Sequence, residues 1–81
     1  MTPMEPIQAD QEVDARGLNC PLPILRAKKA LSTLQSGQVL KVVATDPGSQ
    51  RDFTAFARQT GNELMRMDAS SSEWTFFLKR R

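Results

Sequence analysis

The chain has 81 residues, 40% hydrophobic and 25% charged, with a formal net charge of +2. A chain this short buries only about 60% of its unfolded surface, so it builds one modest core and leaves its chemistry to a loop or an edge, not a deep cofactor cavity. It has no histidine and a single cysteine, Cys20, which excludes Cys-His and Ser-His catalysis within the chain, removes the commonest metal ligand and rules out an internal disulfide.

Residues 1–8 hold two prolines and no periodicity, and read as a flexible tail before a single domain over 9–81. The start, MTPMEPIQADQEV, lacks the charged-then-apolar pattern of a leader, and no apolar run approaches the roughly 20 residues of a membrane span. The expectation is a cytoplasmic protein with no membrane insertion, no metal and no cofactor.

Ala9 to Ala15 reads as a short strand with Val13 and Ala15 on one face, followed by a flexible turn at Gly17. From Pro21 the period becomes helical: Ile24, Ala27, Leu31 and Leu34 form an apolar stripe, Arg26, Lys29 and Thr33 project opposite, and Leu25 falls off the stripe toward solvent. Gly37 reads as the residue just past this helix. Gln38 to Thr45 is a β-branched strand with Leu40, Val42 and Ala44 on one face. After Asp46-Pro47-Gly48, Ser49 and Asp52 match a capping box opening a second helix, whose core face is Phe53, Phe56 and Ala57 and whose end is Gly61. ELMRMDA and EWTFFLK flank Ser70–Ser72 as an antiparallel hairpin. In it Met65 and Met67 are packing residues, Trp74, Phe76 and Leu78 complete the core, and Phe77 faces solvent, open to a partner. The order β-α-β-α-β-β predicts an α/β two-layer sandwich with both helices on one face of the sheet.

Cys20 stands directly before Pro-Leu-Pro. Proline is favoured in the first helical turn, where its missing N–H has no intrahelical partner, so Pro21 and Pro23 brace the helix start and hold the thiol at its positive end. The helix dipole, helped by Arg16, Arg26 and Lys28, is expected to lower the thiol pKa moderately. A thiol poised near ambient pH both takes up and gives up sulfur groups readily. A reductase needs a resolving thiol, usually in C-x-x-C, and residues 20–23 read C-P-L-P. A persulfide formed on Cys20 would wait for another protein, so the residue types fit relay better than reduction. The opposing reading is a buried cysteine acting as a small hydrophobe, and exposure decides between them.

The run DARGLNCPLPILRAKKAL resembles the signature of the TusA/SirA sulfur-carrier family, D-x-x-G-x-x-C-P-x-P, with Asp14, Gly17, Cys20, Pro21 and Pro23 at its motif positions. The similarity continues through GQVLKVVATDPGSQRDFTAFARQTGNEL. It implies a mixed four-stranded sheet related to the carboxy-terminal domain of translation initiation factor three. It also implies a sulfurtransferase role in which Cys20 accepts sulfane sulfur from a cysteine desulfurase or rhodanese-like donor and passes it to an acceptor protein. The family serves tRNA thiolation, molybdenum-cofactor pathways and sulfur metabolism. Two departures bear on the pathway: Leu22 stands where relatives tied to tRNA thiolation often carry an acid, and Asn62 where relatives often carry histidine.

Arg26, Lys28 and Lys29 are candidate docking residues for an acidic donor or acceptor surface, against the plainer reading of a solvated helix face. Direct nucleic-acid binding is not expected, because basic and aromatic residues are not interleaved. The rival readings are an RNA-associated module and a regulatory binding member that moves no sulfur.

Overall fold

The computed structural model describes residues 7–81, so residues 1–6 of the expected tail lie outside the described residues. The chain forms β1 (Gln11–Ala15), α1 (Leu22–Ser32), β2 (Val39–Ala44), α2 (Ser49–Thr60), β3 (Glu63–Ala69) and β4 (Trp74–Lys79). The sheet order is β1-β2-β4-β3, with β1 parallel to β2 and the other two pairs antiparallel. This is the mixed α/β sandwich that the sequence predicts.

The apolar spacings explain the layers. Ala15, Leu40, Val42, Ala44, Phe76 and Leu78 line one sheet face and are fully enclosed beneath Ala27 and Leu31 of α1 and Phe53, Phe56 and Ala57 of α2. Phe53 stacks on Phe76 at 4.4 Å and meets Phe56 edge-on at 6.3 Å, so one aromatic cluster joins α2 to the central strand β4. Gly61 closes α2 in the left-handed region, φ 78°, its N–H donating to the Ala57 carbonyl. Asp10 registers the acidic strand β1 against β2: its N–H donates to the Val39 carbonyl and its carboxylate accepts the Val39 N–H, both at 2.8 Å.

Four local expectations change. The capping box does not form: Gly48 is the N-cap of α2, because Asp46 Oδ2 accepts the Gly48 N–H and the Asp46 carbonyl accepts the Ser49 N–H, which moves the helix entry back one residue. Ser49 Oγ is left buried with no hydrogen-bond partner. Helix α1 ends earlier than Gly37 implied, at Thr33, and Gly37 (φ 89°) instead donates its N–H to the Arg80 carbonyl. Phe77 lies on the helix-free sheet face as alternation requires, yet is only 8% exposed. It sits in register between Lys41 and Arg66, whose aliphatic stems flank it. A bulge between Leu64 and Arg66 turns Met65 outward, and only Met67 packs against the core.

The parallel pairing of β1 with β2 matters most for the site. Both strands run the same way, so the β1–α1 and β2–α2 connections emerge together at their carboxyl ends and the two helix starts become neighbours. Open α/β sheets place ligand chemistry at such ends.

Candidate functional site

The first connection is tied down from both sides. Asp14 accepts three hydrogen bonds from Arg16, from the backbone N–H (3.1 Å), Nε (2.9 Å) and Nη2 (3.1 Å). Arg16 Nη1 also reaches Glu73 Oε2 at 3.6 Å, which links the loop to the hairpin strand β4 side. Gly17 then turns with φ 80°, and its N–H donates to Thr45 Oγ1 at 2.9 Å, joining this connection to the next one. Only glycine takes that backbone region cheaply. The Leu22 N–H donates to the Asn19 carbonyl and the Leu25 N–H to the Pro21 carbonyl, which starts the helix with Pro21 as N-cap and Pro23 in its first turn. The Cys20–Pro21 peptide bond is cis.

Cys20 is a free, exposed cysteine on this loop. That excludes the buried-hydrophobe reading. Leu22 and Leu25, 47% and 53% exposed, stand beside it at the start of α1, so the thiol has an apolar shoulder open to solvent. Pro23 is buried under the same turn and braces it from below.

The electrostatics reverse the sequence expectation. The thiol pKa is raised, first because the Asp52 carboxylate is a hydrogen-bond acceptor for the S–H, then through desolvation and the charges of Asp52 and Asp46; only Arg51 acts in the other direction. The cations expected to help are engaged elsewhere. Arg16 is held by Asp14 and Glu73, and Lys28 faces a groove between the far halves of the helices. Both carboxylates crowd Gly48: a Cβ there would lie 3.1 Å from Asp46 Oδ2 and 3.8 Å from Asp52 Oδ2. Two carboxylates at the neighbouring helix entry thus act against the thiolate, in opposition to the helix dipole. From the sequence, Asp46 and Arg51–Asp52 read as turn and capping residues or as partner contacts near the site, not as groups that raise the thiol pKa. The order β-α-β-α held the clue, since parallel β1 and β2 must bring the second loop alongside the first.

Asp52→Asn removes that carboxylate charge. The Cys20 pKa should fall and alkylation by iodoacetamide at neutral pH should accelerate roughly threefold or more, tempered by the lower nucleophilicity of a less basic thiolate. A pH–rate profile of the native protein measures both, and an unchanged profile would remove Asp52 from this account.

Asp14 does not meet the thiol. Its pKa is lowered to about 2, first by the side-chain hydrogen bonds from Arg16, then by the Arg16 backbone N–H. Stability from this pair is present above the ordinary carboxylate value, about 4, and is lost as pH falls through about 2. NMR titration of the Asp14 carboxyl should give a midpoint near 2, returning toward about 4 in Arg16→Ala. Arg26, Lys28 and Lys29 are all exposed on α1: Arg26 acts on Asp14 of β1, and Lys28 lines a groove shared with α2.

A protein-family model described as Sulfurtransferase TusA matches residues 11–80, nearly the whole described chain. The chain belongs to the TusA family. It is 63% identical over 71 residues to a sulfur carrier protein TusA from Allochromatium vinosum, covering 88% of this chain and 93% of that protein. A putative sulfur carrier protein from Neisseria meningitidis is 56% identical over 68 residues, covering 84% and 89%. Among solved structures, a SirA-like protein from Desulfitobacterium hafniense superposes with a TM-score of 0.74 at 27% identity, covering 85% of this chain and 95% of that one. Within the TusA family a sulfur-carrier function is therefore the general assignment. Among the described residues no helix is long and apolar enough to cross a membrane.

Proposed function

We propose that this protein carries sulfane sulfur as a persulfide on Cys20, taking it from a cysteine desulfurase or rhodanese-like donor and passing it to an acceptor protein in the cytoplasm. The observation that carries the reading is an exposed thiol with no second cysteine in the chain, in a member of a sulfur-carrier family.

The chemistry is a balanced exchange. The Cys20 sulfur attacks the outer sulfur of the donor persulfide; a new S–S bond forms on Cys20, the donor's S–S bond breaks, and the donor leaves as a thiol with the proton Cys20 gives up. No external oxidant or reductant is consumed. Delivery repeats the step with an acceptor thiol attacking the Cys20 outer sulfur. Asp14, Gly17, Pro21 and Pro23 serve by shaping the loop and helix start that present the thiol. The carboxylates of Asp52 and Asp46 push the thiol pKa of the free protein upward, which lowers the thiolate fraction and slows reaction with stray electrophiles. A partner that sets a cation beside Asp52 on docking would release the thiolate where it is needed.

The aromatic residues favour relay over an RNA-binding role. Phe53, Phe56, Phe76 and Phe77 are buried and Trp74 packs against the core, which leaves no exposed ring platform for base stacking among them. Leu22, in place of an acid, leaves tRNA thiolation, molybdenum-cofactor supply and sulfur metabolism all open as destinations.

The test is to incubate the protein with a cysteine desulfurase and cysteine and record the intact mass. A gain of one sulfur atom, removed by dithiothreitol, is the expected result; a mass that stays unmodified beside an active desulfurase would overturn the proposal.

A further inference from the structure

A second feature lies on the helical layer away from the thiol. Between the C-terminal halves of α1 and α2 is an open groove of about 520 Å³, with Lys28, Thr60, Asn62, Arg80 and Arg81 around a floor that includes Phe56. Its walls are fixed by hydrogen bonds. The Arg81 N–H donates to Asn62 Oδ1 at 2.8 Å, Asn62 Nδ2 donates to Thr60 Oγ1 at 2.9 Å, and Arg81 Nη1 donates to the Thr60 carbonyl at 3.4 Å. The Arg81 side chain lies so close over Gly61 that a Cβ there would come within 2.8 Å of it. The groove is thus a built surface and not a gap between mobile chains.

Three cations, Lys28, Arg80 and Arg81, line this one groove, and among the described residues no acidic side chain lines it with them. On the helix-free sheet face Lys41 pairs with Glu12, Arg66 with Asp68, and Arg16 with Asp14 and Glu73, while Lys79 stands alone among the described residues and exposed. Among the described residues Lys28, Arg80 and Arg81 have no such ion pair. Compensation of helix C-terminal dipoles accounts for Lys29 and Arg58 in the last turns. It does not account for Arg80, which arrives from beyond β4 and still lines the groove.

We propose that this groove receives an acidic, Asp- or Glu-rich segment of a partner protein. The inference rests on the sulfur-relay reading only for the partner's identity as donor or acceptor. At 1.5 Å per residue, Lys28 lies about 9 Å beyond Leu22 along α1, so an occupant is held on the same helix that Cys20 precedes. A protein segment fits better than a nucleic acid, because Phe56 is buried as floor and presents no face to a base.

The test uses the full chain, labelled with nitrogen-15, and a capped hexaglutamate peptide. The amides of Gly61, Asn62, Arg80 and Arg81 should shift saturably, more than those elsewhere, and the binding should weaken as salt is raised. Lys28→Glu and Arg80→Glu should each lower the affinity several-fold, and together by about tenfold or more, with the remaining spectrum unchanged. Lys28 is exposed, so its variant keeps the fold if Arg80→Glu does not. Shifts centred on Arg51 and Arg58 instead, affinity indifferent to both reversals, or tighter binding of a single-stranded RNA of equal charge at the same amides would each overturn the proposal. No sulfur chemistry enters the measurement, so its outcome is independent of whether Cys20 loads.

Discussion

Cys20→Ser is expected to take up no sulfur at all from a desulfurase and cysteine, while keeping the native fold. Serine is close in size, and the position is exposed on a loop, so stability should move by no more than about 0.5 kcal/mol. Loading should disappear entirely, because the chain has no other thiol to take the sulfur. Intact mass and a thermal melt on the same sample separate the two effects. Residual loading in the serine variant would mean the sulfur sits elsewhere or is bound without a covalent bond, and the relay reading would fail with Cys20.

The largest effect on stability is expected from Phe76→Ala. Phe76 is fully enclosed, stacked on Phe53 at 4.4 Å and paired across the sheet with Val42 and Met67. Removing a buried ring costs about 3–5 kcal/mol, from lost transfer energy and from the cavity left behind. A chain of this size has about 4–12 kcal/mol in total. The midpoint of thermal unfolding should therefore drop by roughly 12 °C or more, and the variant could be largely unfolded at 37 °C. Leu25→Ala, on an exposed position, should change it by no more than about 0.5 kcal/mol. Equal effects from the two changes would contradict the division between core and thiol shoulder.

These two predictions were open to the sequence to different degrees. Leu40, Val42 and Ala44 alternate with period two, and Phe53, Phe56 and Ala57 repeat at helical spacing, so the core faces could be read directly. The thiol's place at a helix start was legible because Pro21 and Pro23 leave the chain few alternatives. The sign of its electrostatics was not legible. Asp46 and Asp52 are distant in sequence and reach Cys20 only through the parallel pairing of β1 with β2.

Local patterns also misled where a neighbour competed for the same backbone group. Ser49 and Asp52 match a capping box, but Asp46 takes the Gly48 N–H and sets the helix entry first. Phe77 was correctly placed opposite the core, yet its burial depends on Lys41 and Arg66 flanking it across two strand pairings. Met65 alternates with Met67 in sequence, and a bulge that no single residue announces breaks the alternation. The groove at Lys28, Arg80 and Arg81 joins residues from both ends of the chain, and only the folded sheet brings them together.

The most direct measurement is to load the protein with sulfur, alkylate it in the native state, digest it with trypsin and weigh the fragments. The account predicts that the fragment Gly17–Arg26, GLNCPLPILR, carries the alkyl group together with one additional sulfur atom. That fragment recovered with the alkyl group alone from a loaded sample, or not alkylated at all, would contradict it.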